Sequence, residues 1–165
     1  VIPETGIILN NRLTGFSLDP QSPNIVAPGK RPAHTLNAFT AVRPDGSLYL
    51  VGGTPGANIQ VQTNLQLIVN VVDLKLNVQE AIEAPRWQHL NAPGQSSAEE
   101  SGKGVLEIED RVSVAVIDEL RAKGHEVKLL PSWGHGSSVQ MLEVLPQGTY
   151  AIGSDPRCEG HAAGI

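Results

Sequence analysis

The chain has 165 residues, 40% of them hydrophobic, and a formal net charge of −5: one domain's length, with enough apolar content for a core. Its 12 Lys and Arg are scattered rather than clustered, which argues against a nucleic-acid footprint or a basic membrane-binding face. No apolar run reaches the roughly 18 residues of a membrane span.

Val1-Ile2-Pro3 has neither an initiator Met nor signal-peptide character, so the chain is expected to begin inside a longer precursor. Gly6–Asn10 is a short apolar run with the look of a buried strand. Residues 11–37 are rich in Pro, Asn, Ser and Gly and predict a long loop, which inside a compact domain is functional or packed against a partner. A hairpin follows: Phe39–Val42, a Pro44-Asp45-Gly46-Ser47 turn, then Leu48–Val51. Pro presets φ and Gly accepts positive φ, which is why that tetrapeptide turns the chain. A helix is predicted over Gln60–Leu74, with Val61, Leu65, Ile68, Val69 and Val72 on one face. Asn77 caps a second helix, Val78–Glu83, where Glu80 completes a capping box and Pro85 stops it. Residues 91–103 form a polar connector, Gly104–Ile108 a strand, and Asp110–Lys123 a helix ended by Gly124. Strands at Glu126–Leu130, Val139–Leu145 and Tyr150–Gly153 complete an order that fits α+β better than regular βαβ alternation.

The Gly52-Gly53-Thr54-Pro55-Gly56-Ala57 loop opens onto the first helix, so its backbone N–H groups can converge on an anion or a developing oxyanion. It is no phosphate loop, because no Gly-Lys-Ser/Thr follows, and the G-x-G-x-x-G fingerprint is missing. An oxyanion role for Gly56 and Ala57 stands beside the plainer reading of a tight strand-to-helix turn. No residue of nucleophile character neighbours the loop in sequence. His34, next to Thr35, can orient a substrate carboxylate, act as a base, or serve as a structural histidine. His89, His125, His135 and His161 show no metal spacing, so neither metal nor cofactor is expected. His135-Gly136-Ser137-Ser138 lacks the Gly-x-Ser-x-Gly elbow of a serine hydrolase. Glu107, Glu109, Asp118 and Glu119 read as solvated faces. Trp87 and Trp133 read as core or rim packing, with a ligand cleft as the alternative. Cys158 is alone, so the chain has no internal disulfide, and it reads as a thiol without chemistry.

Several blocks occur in a fixed order: Gly6-Ile7-Ile8-Leu9-Asn10-Asn11 with Phe16-Ser17, Pro28-Gly29-Lys30-Arg31-Pro32, and Gly53-Thr54-Pro55-Gly56. Asn77-Val78-Gln79-Glu80-Ala81, Ala84-Pro85-Arg86 and Gly153-Ser154-Asp155-Pro156-Arg157 follow. Together they resemble the small subunit of the γ-glutamyltransferase family, over essentially the whole chain. The resemblance implies an N-terminal-nucleophile hydrolase with a four-layer αββα sandwich. Residues 1–165 would be an incomplete small subunit, partnered by a large subunit from the same precursor, with Ile165 as the true C-terminus. It also implies self-cleavage before a Thr whose free α-amine is the general base for its own hydroxyl. A small-molecule amide substrate would acylate that Thr, and water or an amine would resolve the acyl-enzyme. In the family the Thr opens a Thr-Thr-His stretch. None is present here, and Thr5 is not its replacement, so the nucleophile is expected on a strand upstream of Val1. By the same resemblance Gly56 and Ala57 supply oxyanion-hole N–H groups, and Glu4, Asn11, Arg12, Gly15, His34 and Thr35 bind substrate.

Three positions depart from the family pattern. The family follows Asn-Asn or Asn-Asp with Glu/Gln-Met-Asp-Asp-Phe, whose second Asp grips the substrate α-ammonium. Here the run is Arg12-Leu13-Thr14-Gly15-Phe16, which puts Gly15 at that Asp and leaves Arg12 to repel an ammonium. His34-Thr35 stands for the Ser-Ser pair that binds the α-carboxylate, and Gly56-Ala57 for Gly-Gly, where Ala keeps its N–H. His34-Thr35-Leu36-Asn37 with Gln60-Val61-Gln62-Thr63-Asn64 resembles the acylase or amidohydrolase branch, whose members cleave glutaryl side chains of β-lactams or small oxo-acid amides. The expected function is therefore an amide hydrolase or acyltransferase whose substrate lacks the free α-amino acid end of glutathione. Two alternatives stand beside it. One is a genuine γ-glutamyltransferase or glutathione hydrolase, with Asp19 in place of the missing Asp and Pro20 limiting its placement. The other is a non-catalytic binding or structural remnant. The residues fix neither the acyl group nor the compartment, cytoplasmic or periplasmic/secreted.

Overall fold

The computed structural model describes residues 2–90 and 104–163; the polar connector predicted over 91–103 lies outside them. The chain divides into two compact units, Val1–Thr35 and Leu36–Ile165.

The first unit carries little regular structure, as its Pro/Asn/Ser/Gly content predicts: one 3-10 turn, Arg12–Gly15, and an isolated bridge between Ser17 and Ile25. Side chains fold the backbone locally instead. Asn10 Oδ1 accepts from Arg12 N–H at 2.9 Å, Ser17 Oγ from Asp19 N–H at 3.0 Å, and Asp19 Oδ1 from Gln21 N–H at 2.9 Å. The strand predicted over Gly6–Asn10 does not form. Glu4 and Gly6 adopt positive φ of 64° and 69°, and Ile2 N–H donates to the Ile7 carbonyl at 2.8 Å, so a turn leads into the run. No strand among the unit's described residues pairs with it, and Ile8 is left 80% exposed. An apolar run becomes a buried strand only when a partner row covers it.

The second unit holds two sheets. The predicted hairpin forms β1 (Phe39–Val42) and β2 (Leu48–Gly53). With β6 (Gln140–Val144) and β7 (Tyr150–Ser154) they make an antiparallel sheet in the order β1-β2-β6-β7. The second sheet is β3 (Trp87–Leu90), β4 (Val105–Glu109) and β5 (Glu126–Leu130), antiparallel between β3 and β4 and parallel between β4 and β5. The parallel pair needs a crossover, which α3 (Val114–Ala122) supplies. The sequence places that helix start at Asp110. The structure places it at Val114, because Asp110 is still tied to the sheet, its N–H donating to the Leu130 carbonyl at 3.0 Å.

Helix α1 (Gln60–Val72) starts where the sequence places it, ends at Val72 rather than Leu74, and buries a different face. Gln60, Thr63, Asn64, Leu67 and Val71 are buried, while Val61 and Leu65 are 60% and 55% exposed. Polar residues hold part of the inner stripe, and this hides it from an apolar-period reading. Helix α2 (Val78–Glu83) carries the predicted capping box: Asn77 Oδ1 accepts from Glu80 N–H at 2.9 Å, and Glu80 Oε2 from Asn77 N–H at 3.0 Å. Leu50 of β2, Val139 and Met141 pack with Leu67, Val71, Val78, Ala81 and Ile82 of the two helices to form the core. Truncating Leu67 or Ile82 to Ala there would cost roughly 2–5 kcal/mol.

Candidate active site

The segment from Gly53 to Gln60 turns the chain from β2 into α1 through a 3-10 turn, Ala57–Ile59. Thr54 anchors it: the buried hydroxyl accepts from Ser138 N–H at 2.9 Å and donates to the Pro55 carbonyl at 2.7 Å. Gly56 has φ 139° and Ala57 φ 48°. A Cβ on Gly56 would lie 2.7 Å from Ile59 Cγ1, so the position requires glycine for space as well as for conformation. The two carbonyls accept from Ile59 N–H and Gln60 N–H and so face into the helix. The N–H groups of Gly56 and Ala57 donate to no other described residue. Successive donors at the head of a helix suit an anion or an oxyanion.

Within the first unit, Asn11, Arg12 and Gly15 share one 3-10 turn. The Asn11 carbonyl accepts from Thr14 N–H at 3.1 Å and from its hydroxyl at 2.8 Å. Asn24, which the sequence did not single out, joins this turn to the His34 neighbourhood. Its Nδ2 donates to the Gly15 carbonyl, and its Oδ1 accepts from Ala33 N–H at 3.1 Å. A Cβ on Gly15 would come within 2.6 Å of the Ala33 carbonyl oxygen. Glu4 and His34 are exposed and Thr35 is half-buried. Gly56 and Ala57 belong to the other unit.

Glu107 and Glu109, read from sequence as solvated, are 7% and 0% exposed. Lys128 Nζ and Gln88 Nε2 each reach Glu107 at 2.6 Å, and the Lys128 hydrogen bond holds its carboxyl below the usual range despite burial. Glu109 ends β4 inside a cluster of arginines. Arg157 grips it with two N–H groups, both at 2.7 Å, and Arg111 adds a third at 2.6 Å. Burial works to raise its pKa, but the Arg157 and Arg111 donors prevail and bring it to about 2. Asp155 accepts from Arg86 at 2.6 Å, Arg157 at 3.1 Å and Val139 N–H at 2.8 Å; it too is held low, against burial, chiefly by the Arg86 charge. The signal for this cluster lay in the opposite charges of Ala84-Pro85-Arg86, Glu109-Asp110-Arg111 and Ser154-Asp155-Pro156-Arg157, each set among apolar or turn residues.

His135 and Ser137 close the cluster. Arg86 donates to Ser137 Oγ at 2.8 Å, and the Ser137 hydroxyl meets His135 Nδ1 at 2.7 Å. Ser137 N–H also donates to Nδ1, at 3.2 Å, which assigns the ring proton to Nε2. Burial, then the Arg86 charge, lowers the histidine to about pKa 4. Both residues are buried and the serine is held by an arginine, so the pair is a structural joint rather than a nucleophile and its base. Trp133 is stacked under Arg111, 3.6 Å from guanidinium carbon to ring centroid, at the rim. Trp87, His89 and His125 border a cavity of about 350 Å³ with Leu106, Ile108 and Leu120. Among the described residues no three His, Cys, Asp or Glu side chains converge as a metal site, and no helix is long and apolar enough to cross a membrane. Cys158 is exposed and free, and Asp118 and Glu119 lie on the surface as expected.

Residues 1–165 match the family model described as gamma-glutamyltranspeptidase. An oxamate amidohydrolase proenzyme of Klebsiella pneumoniae is 38% identical over 168 residues, covering 99% of this chain and 30% of that proenzyme. The crystal structure of a cephalosporin acylase from Bacillus halodurans superposes with a TM-score of 0.78 at 32% identity, over 98% of this chain and 29% of that one. A γ-glutamyltranspeptidase mutant of Helicobacter pylori gives 0.76 at 28% identity, over 96% of this chain and 85% of that one. The chain thus spans about 30% of the length of the amidohydrolase relative.

Proposed function

The chain belongs to the γ-glutamyltranspeptidase family of N-terminal-nucleophile hydrolases, with an α+β fold of the αββα class, and from that premise we propose that it is part of an amide hydrolase or acyltransferase. The observation that carries the reading is the Gly56–Ala57 turn, with two N–H donors uncommitted to described residues at the head of α1. In this reading the nucleophile is the hydroxyl of an N-terminal Thr on a strand outside these 165 residues, and a large subunit of the same precursor completes the site. The Thr oxygen adds to the amide carbonyl while its proton passes to the Thr α-amine. The carbonyl oxygen, now anionic, is held by the N–H groups of Gly56 and Ala57. Collapse expels the amine, which takes that proton, and leaves an acyl ester for water or a second amine to attack.

Glu4, Asn11, Arg12, Gly15, His34 and Thr35 are the substrate-binding residues of this proposal. Gly15 and Arg12 offer a substrate ammonium no counter-ion, which favours glutaryl-like or oxo-acid acyl groups over γ-glutamyl. The Klebsiella amidohydrolase and the Bacillus acylase carry names of that kind, and the Helicobacter transpeptidase carries a γ-glutamyl one. Asp19, the stand-in that a γ-glutamyl reading needs, accepts from Gln21 N–H through Oδ1 in its own turn. Intact-protein mass spectrometry of the full-length protein tests the proposal. Two chains are expected, the smaller beginning with Thr and gaining the mass of a glutaryl group on brief incubation with glutaryl-p-nitroanilide. A single uncut chain, or a smaller chain beginning with another residue, would refute it.

A further inference from the structure

Between Gln60 and Gln66 every second residue of α1 carries an amide. The helical step of about 100° sends these side chains to two flanks rather than one face. Gln60 and Asn64 share the first flank and hold Asn37: Gln60 Oε1 accepts from Asn37 N–H at 3.1 Å, and Asn64 Nδ2 donates to Asn37 Oδ1 at 2.8 Å. Gln62 and Gln66 share the other, where they meet β3. Trp87 N–H donates to Gln66 Oε1 at 3.1 Å, and Gln66 Nε2 donates back to the Trp87 carbonyl at 2.9 Å. His89 repeats the pattern with Gln62, at 2.7 Å and 3.1 Å. Among the described residues β3 pairs with β4 alone, so alternate residues turn their N–H and C=O away from that partner. The two glutamine amides stand where a further strand would pair.

We infer that Gln62 and Gln66 are positioning residues for the proposed reaction: they hold α1, and the Gly56–Ala57 turn at its head, in register with β3. The consequence for turnover rests on the amidase reading above. Oxyanion stabilisation depends on donors fixed in advance, and a misplacement of about 1 Å costs on the order of 100-fold in rate. Helix α1 is anchored through side-chain amides on both flanks, so loss of one flank frees it to shift or rotate without unfolding the core under Leu67 and Val71.

The test uses the full-length protein and the variants Gln62→Met, Gln66→Met and Gln66→Glu. Met keeps the length of the side chain and removes the amide, whereas Glu keeps the acceptor for Trp87 N–H and removes the donor. With glutaryl-p-nitroanilide each variant is expected to lose roughly 10-fold or more in kcat, with KM held within about 3-fold. Hydrogen exchange supplies a readout that needs no substrate. Exchange should quicken at Ile59 and Gln60, whose N–H groups close the turn, in all three variants, and also at Trp87 in Gln66→Met and at His89 in Gln62→Met. Folded variants with wild-type kcat, or faster exchange at Trp87 alone with Ile59 and Gln60 unchanged, overturn the inference. If a Met variant does not fold, Gln66→Glu decides. A wild-type protein that cleaves neither this anilide nor oxamate refutes the amidase reading instead, and the exchange data then decide the positioning role.

Discussion

Gly56 meets two constraints at once, φ 139° and an Ile59 side chain 2.7 Å from any added Cβ. Gly46 and Gly148 also have positive φ but would meet nothing within 4 Å. Gly56→Ala is therefore expected to lose about 1–3 kcal/mol of stability and to twist the donor pair out of line. Thermal unfolding and kcat of the full-length protein, measured together, check this. Turnover should fall by about 10-fold or more, and an unchanged kcat would remove the turn from the reaction. At Gly15 the constraint is the Ala33 carbonyl oxygen, 2.6 Å from an added Cβ. An aspartate placed there would have to push backbone, so the missing acidic residue cannot return by a single substitution without local rearrangement.

Elements meet at the buried ion cluster, where the α2–β3 corner gives Arg86, the end of β4 gives Glu109, the β5–β6 loop gives His135 and Ser137, and the segment after β7 gives Asp155 and Arg157. Its titration sets the direction of acid sensitivity. Glu109 is depressed from 4.5 to about 2, so its contribution is complete above pH 4.5 and disappears as pH falls through 2. His135 is depressed from 6.5 to about 4; below pH 6.5 the unfolded chain binds a proton that the folded chain refuses, and stability declines down to pH 4. Each effect is on the order of 3 kcal/mol, and both weaken the fold in acid. Unfolding midpoints of the full-length protein should drop from pH 7 towards pH 3. Asn at position 135 (His135→Asn) should flatten the slope between pH 6.5 and 4, and a slope identical to wild type would show that this histidine does not titrate with folding. Glu109→Gln is expected to cost roughly 3–5 kcal/mol at pH 7, because it leaves arginines buried without their counter-charge.

Across the whole molecule, what could be read from sequence was local. The Pro44-Asp45-Gly46 turn and the Asn77–Glu80 capping box depend on neighbours in the chain, and both formed as expected. What could not be read depends on distant partners. Strand β3 is four residues without alternation, and its outer edge is satisfied by Gln62 and Gln66 of α1 rather than by a strand. Glu109 looks like a surface carboxylate until Arg86, Arg111 and Arg157 are brought around it. The inner face of α1 departs from the apolar period because Gln60, Thr63 and Asn64 are buried, Gln60 and Asn64 against Asn37. For the candidate site the family blocks gave the loop and its glycine. The uncommitted N–H pair and the closed space at Gly15 needed coordinates.

We propose an amidase whose site offers a free α-ammonium no counter-ion. Glutaryl-p-nitroanilide and γ-glutamyl-p-nitroanilide differ at that group alone, so the ratio of their kcat/KM values in the processed full-length protein isolates it. We expect the glutaryl substrate to be preferred by about 10-fold or more. A ratio at or below one, with the γ-glutamyl anilide turned over as well or better, would contradict the account and return the protein to γ-glutamyl transfer.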